Sequence, residues 1–139
     1  MNIEEYLFKV EIFQKITPED VRRIADVSKV VSYPDGQYIT RQGEQPDNLW
    51  VVCKGKVEVI VEKGKEKRHV AFLGPGEIFG EMTVFQRDFA TADVVSRGGC
   101  NVIEIPGEFF KDVIYESPVS IGMMAQKMTK RFSELMKKK

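Results

Sequence analysis

Between residues 30 and 105 the sequence turns back on itself at short intervals, and this spacing limits the fold more than any other feature. Pro34-Asp35-Gly36, Gln42-Gly43-Glu44, Lys54-Gly55-Lys56, Lys63-Gly64-Lys65, Gly74-Pro75-Gly76 and Gly98-Gly99 carry the residue types that reverse a chain. The segments between them, 30–33, 37–40, 49–54, 57–62, 69–73, 91–96 and 101–105, are too short for helices and rich in β-branched residues. In 57–62 strict alternation puts Val57, Val59 and Val61 on one buried face. Short strands wound in this way close into a container, which predicts a mainly β chain. Its centre is an antiparallel β-roll of jelly-roll type, a double-stranded β-helix of seven or eight strands. Trp50, Val57, Val59, Val70, Phe72 and Ile103 are predicted to face its interior.

Helical patterns flank the roll. Ile3, Leu7 and Val10 recur at helical spacing, and Thr17-Pro18-Glu19-Asp20 combines a capping hydroxyl, a first-turn proline and two acids suited to a positive helix end. At the other end Pro106 opens a short helix to about Ile114, and Pro118 opens a longer one to about Lys137. The predicted organisation is therefore one domain over 1–139: N-terminal helices in 1–31, the roll in 32–105 and C-terminal helices in 106–139. On the last helix, Ile121, Ala125, Met128, Phe132 and Leu135 recur at spacings of 4, 3, 4 and 3, an apolar seam of a little over two heptads. Such a stripe either lies on the roll or joins a second copy. Met123, Met124, Met128 and Met136 adapt to a partner surface, so the expectation is a homodimer through this helix, with a further protein partner left open.

Composition removes several function classes. Lys and Arg balance Asp and Glu at 21 each, so total charge signals no nucleic-acid partner, and the basic run at 127–139 suits a solvated helix C-terminus. His69 is the only histidine, so a three-histidine metal site and an HExxH helix are excluded and a Ser-His-Asp triad with a spare acid–base histidine is unsupported. Neither GxGxxG nor GxxxxGK[ST] occurs. Cys53 and Cys100 read as reduced, buried small hydrophobes. No apolar run reaches the roughly 20 residues of a membrane span, and the acidic N-terminus is not a secretory signal, so the chain is expected to be cytoplasmic. No catalytic residue, metal or cofactor is expected.

The most specific stretch is Phe72-Leu73-Gly74-Pro75-Gly76-Glu77-Ile78-Phe79-Gly80-Glu81-Met82, a glycine turn, a short strand and a helical turn through Phe85. The start of that turn offers free N–H groups to an anion, Gly80 allows close approach to the backbone, and Glu81 could accept from a vicinal diol or only cap its own helix. With Pro34-Asp35-Gly36, Ile39, Gln42-Gly43-Glu44, Trp50-Val51-Val52 and Gly55-Lys56-Val57, all in order, the chain resembles a cyclic-nucleotide-binding domain. Such domains occur in the bacterial catabolite activator protein and in regulatory subunits of cyclic-AMP-dependent kinase. The resemblance implies a β-roll holding cyclic AMP or cyclic GMP, with Val70, Phe79, Gly80, Glu81, Met82, Ala90, Thr91 and Ala92 at the ligand and a following helix over the base.

One position departs from the family. There the turn is followed by an arginine, a small residue and an alanine, the arginine neutralising the cyclic phosphate; here Ala90 stands in its place, followed by Thr91 and Ala92. A threonine at position 91 resembles the variant associated with guanine ligands. Asp93 is expected to add repulsion, and Arg87 is the nearest substitute cation. Charge-assisted hydrogen bonds to phosphate contribute about 1.5–3 kcal/mol each, so losing two weakens binding by about 100-fold or more. Two functions stay open: a sensing module that binds cyclic nucleotides weakly or takes another small molecule, and a ligand-free dimerising adaptor. Relatives commonly continue into a DNA-reading helix-turn-helix; this sequence shows none after position 139, so DNA binding by this chain alone is not expected.

Overall fold

The computed structural model describes residues 2–86 and 90–137, with the backbone alone at Met82, Gln86, Phe132, Leu135 and Lys137. Two short helices, α1 (Ile3–Leu7) and α2 (Pro18–Asp26), are joined through a 3₁₀ turn at Glu11–Lys15. Asn2 Oδ1 accepts from the Glu5 N–H (3.0 Å) and Thr17 Oγ1 from the Asp20 N–H (3.2 Å), so each helix start satisfies one donor that its own ladder leaves free. The helices end at Asp26, short of the expected boundary near 31, because strand pairing claims the chain from Lys29.

Among the described residues six strands follow: β1 (Lys29–Tyr33), β2 (Tyr38–Thr40), β3 (Asn48–Lys63), β4 (Glu66–Leu73), β5 (Ile78–Phe79) and β6 (Asp93–Pro106). Every pairing is antiparallel, in the order β1-β6-β3-β4, with β2 on β6 and β5 on β3. Helix α3 (Glu81–Gln86) lies between β5 and β6, and α4 (Gly107–Tyr115) and α5 (Pro118–Lys137) close the chain. This is the antiparallel roll with helices at both ends that the turn spacing predicts.

The strands are fewer and longer than expected because two glycine sites are bends within strands. Lys54-Gly55-Lys56 sits in a bulged part of β3, and Gly98-Gly99 lies inside β6. Gly55 has φ +78°, and a Cβ there would stand 2.3 Å from the Gly99 carbonyl oxygen, so the close crossing of the two strands needs glycine.

β3 is buried on both sides. Leu49, Val51 and Cys53 face the helices, packing with Phe13, Ile24, Phe110 and Met124, while Trp50, Val52 and Val57 face the roll interior with Phe79, Val94 and Val102. Trp50 and Val57 are buried in the roll interior as predicted, whereas Ile103 is buried on the helix-facing side with Leu49 and Val51. Phe72 is not buried: it is 51% exposed, its ring against His69 (4.6 Å) and beneath Lys56 Nζ (4.5 Å). The register explains the error. Val59 pairs with Ala71 and Ile60 with His69, so Val70 is an extra residue in β4, and Leu73 takes the interior place that unbroken alternation gave to Phe72. Val59 and Val70 are partly buried. Cys53 and Cys100 are free thiols, both buried, in the two different cores. Among the described residues no helix is long and apolar enough to cross a membrane.

Candidate functional site

The turn at Gly74-Pro75-Gly76 returns the chain so that β5 pairs with β3, Trp50 opposite Phe79, and their rings stack at 5.1 Å. The backbone then leaves the sheet at Gly80, whose φ is +90°. A Cβ there would lie 2.8 Å from the Asn48 carbonyl and 2.9 Å from Trp50 Cε3, so glycine alone lets α3 start this close to β3. Thr83 Oγ1 donates to the Gly80 carbonyl (2.9 Å) and fixes the first turn.

Between this turn and β6 opens a cleft with about 650 Å³ of empty space, counted out to its mouth. The predicted residues Val70, Phe79, Gly80, Glu81, Ala90, Thr91 and Ala92 all line it, together with Thr40, Thr83, Arg131 and Glu134. The Met82 side chain and all of Arg87 lie outside the described residues. Ala90 is held in place by the loop before β3: its N–H donates to the Glu44 carbonyl (2.6 Å) and its carbonyl accepts from Gly43 (2.9 Å).

Asp93 is turned to the 41–44 loop rather than to the cleft. Its side chain is buried, Oδ1 accepts from the Gln42 N–H at 2.7 Å, and it is not among the residues lining the cleft. Gln42 in turn bridges the Glu62 backbone, its Oε1 accepting at 2.9 Å and its Nε2 donating at 3.2 Å. The carboxylate thus fastens the 41–44 loop to the roll.

Glu81 is 1% exposed. Burial pushes its carboxyl above the ordinary range, and the Arg131 guanidinium works against that rise. Arg131 Nη1 stands 2.6 Å from Oε1 and 2.8 Å from Oε2, with the hydrogen bond made to Oε2, and Nη2 donates to the Ile78 carbonyl. Glu81 Oε1 and Thr40 Oγ1 are, among the described residues, buried side-chain polar atoms without a hydrogen bond, and both belong to residues lining this cleft.

The Arg131 contact was not legible in the sequence. The face that α5 turns inward carries Ser120, Met124, Arg131 and Glu134, one residue away from the expected seam, and nothing local separates Arg131 from Lys127 or Lys130. Of the seam, Ile121 and Ala125 are exposed and Met128 is partly buried, while the side chains of Phe132 and Leu135 are outside the described set. His69 is exposed on β4, its Nδ1 2.8 Å from Glu58 Oε2.

A family model described as "Cyclic nucleotide-binding domain" matches residues 30–117. The chain is 35% identical over 115 residues to cGMP-dependent protein kinase egl-4 of Caenorhabditis briggsae, covering 81% of this chain but 15% of the kinase. In three dimensions it is similar to the regulatory domain of Toxoplasma gondii PKA solved with cAMP (TM-score 0.84, 23% identity, 92% of this chain and 49% of that one). It is also similar to the regulatory subunit of a cAMP-independent protein kinase A from Trypanosoma cruzi bound to guanosine (TM-score 0.80, 21% identity, 88% and 43%). The chain thus spans about half or less of each protein it is compared with here.

Proposed function

Because the chain belongs to the cyclic nucleotide-binding domain family, we propose that residues 1–139 act as one ligand-sensing regulatory domain. Its cleft takes a ribose-bearing compound of little or no negative charge and holds cyclic AMP and cyclic GMP weakly. The observation that carries this reading is that, among the described residues, the cleft offers acceptors but no free cation. Thr40 Oγ1 makes no hydrogen bond, and Glu81 Oε1 makes none although Arg131 Nη1 stands 2.6 Å away, whereas the position from which the family's arginine meets a phosphate is Ala90. The one cation among the described lining residues, Arg131, is already committed to Glu81, and Glu134 adds a further carboxylate. A neutral diol suits such walls better than a cyclic phosphate. The T. cruzi subunit, described as cAMP-independent and bound to guanosine, supports this choice of ligand class.

Calorimetry on the natural chain with guanosine, cyclic GMP and cyclic AMP tests the reading. Guanosine binding at least as tight as cyclic GMP agrees with it; micromolar binding of either cyclic nucleotide with none of guanosine refutes it, and Arg87 would then be the first cation to mutate.

A second reading, a cytoplasmic dimerising adaptor that has kept the fold and acts through a protein partner, is favoured by the apolar surface left open on α5. Val119 is 58%, Ile121 37% and Met136 50% exposed. The two readings are compatible if the ligand acts on α5.

A further inference from the structure

Thr40 is the last residue of β2 and lies opposite Val94 of β6. From there the 41–44 loop stays alongside the chain that leads into β6. The Gln42 N–H donates to Asp93 Oδ1, the Gly43 N–H to the Ala90 carbonyl, and the Ala90 N–H to the Glu44 carbonyl. Thr40 and Ala90 therefore stand on two hydrogen-bonded segments of one wall, and both line the cleft. Around them the lining from β3, β4 and β6 is apolar, with Val59, Val70, Ala92 and Val94. In this setting Thr40 is 4% exposed, and its Oγ1 has no hydrogen bond among the described residues. Thr83, the other buried threonine of the lining, commits its hydroxyl to the Gly80 carbonyl (2.9 Å). A buried hydroxyl without a partner destabilises the fold that holds it, and valine has the same shape without that cost. Packing alone does not explain the threonine.

We propose that Thr40 is a second polar subsite of the cleft, one that reads the primary (5′) hydroxyl of a nucleoside. The inference rests on the ligand reading above and deepens it, because it names the free nucleoside as the ligand class. A nucleoside carries a vicinal diol and a primary hydroxyl, whereas in a cyclic nucleotide of the cyclic AMP type the primary oxygen is esterified to the phosphate and has no proton to donate. Thr40 belongs to the wall of Ala90, the position from which the family's arginine meets that phosphate. At this end of the sugar a nucleoside presents a neutral hydroxyl, which a threonine can meet as donor or as acceptor. Oγ1 is fully buried while its residue lines the cleft, so a turn about χ1, which exchanges hydroxyl and methyl, presents it to the ligand. Thr40 then separates nucleosides from cyclic nucleotides whatever their base.

Calorimetry with guanosine and 5′-deoxyguanosine on the full 139-residue chain and on its Thr40→Val and Thr40→Ser variants tests the subsite. The natural chain should bind guanosine about tenfold more tightly than the deoxy compound. Thr40→Val should bind both alike, at the natural chain's level for the deoxy compound, and Thr40→Ser should keep the preference. Equal binding of the two compounds by the natural chain, or a preference that survives in Thr40→Val, overturns the subsite. Urea titration adds a reading that needs no ligand: Thr40→Val should raise the midpoint, since the unpaired hydroxyl is lost and the shape is kept. A lower midpoint shows that the hydroxyl has a partner within the fold, and it overturns the subsite as well. If guanosine binds and Thr40 makes no difference, this inference alone fails; if the natural chain binds no nucleoside, the ligand reading fails and the subsite with it.

Discussion

Asp93 Oδ1 accepts from the backbone N–H of Gln42 at 2.7 Å, with the Asp93 side chain buried, and this bond holds the 41–44 loop against the strand that follows the ligand turn. Asp93→Ala should therefore cost about 0.5–1.5 kcal/mol of stability by removing this hydrogen bond to the loop. It should leave nucleotide affinity unimproved. Urea titration reads the first effect and calorimetry the second; a gain in cyclic-nucleotide binding would restore Asp93 as a repulsive element of the site.

Gly80 tolerates no side chain. At φ +90°, with the Asn48 carbonyl and Trp50 ring 2.8–2.9 Å from an added Cβ, Gly80→Ala combines backbone strain with overpacking against β3. The expected loss is about 2–4 kcal/mol, read as a fall in the urea midpoint at constant slope. Gly43→Ala, which also has positive φ but open space around the new methyl, should lose less.

Glu58 gives the fold an acid limb. Burial alone would raise its carboxyl, but hydrogen bonds from Arg97 (2.7 Å) and His69 (2.8 Å) outweigh burial and hold it below the ordinary value. A lowered carboxyl contributes stability that is complete above its unfolded value and drains as pH falls through the folded one. Stability measured between about pH 6 and pH 3 should fall less steeply in Glu58→Gln than in the natural chain. Equal slopes would mean that the Glu58 cluster adds nothing to the acid response.

Dimerisation through α5 is tested by sedimentation. The natural chain should run as a dimer, and Ile121→Asp, which places a charge on an exposed seam position, should convert it to a monomer. A natural chain that stays monomeric at high concentration contradicts the seam.

What the sequence showed and what it hid divide along physical lines. The cap at Thr17, the proline starts of α2 and α5, and the turn-strand-helix passage from Gly74 to Phe85 depend on neighbours in the chain, so local residue types reveal them. Gly55 and Gly98-Gly99 misled because a glycine serves a strand bulge as readily as a turn, and only the partner strand decides which. Phe72 was misplaced by one inserted residue at Val70, which reverses alternation without altering composition. Phe79, Gly80 and Glu81 belong to the ordered motif at 72–82, and Val70, Ala90, Thr91 and Ala92 were expected from the resemblance; all seven line the cleft. Arg131 reaches the same cleft from fifty residues away, through the way α5 packs, and no local pattern announces it.

The central proposal is that the cleft offers an acceptor suited to a ribose but, among the described residues, no free cation for a cyclic phosphate. Calorimetry of Ala90→Arg against the natural chain, with cyclic AMP and cyclic GMP, tests it most directly. The account predicts weak or absent heat for the natural chain and a gain of at least about tenfold, 1.4 kcal/mol, for the variant. Adding Glu81→Gln to that variant should erase the gain. Tight binding of a cyclic nucleotide by the natural chain, or no gain on restoring the arginine, would contradict the account, the second result making the adaptor the better description of this protein.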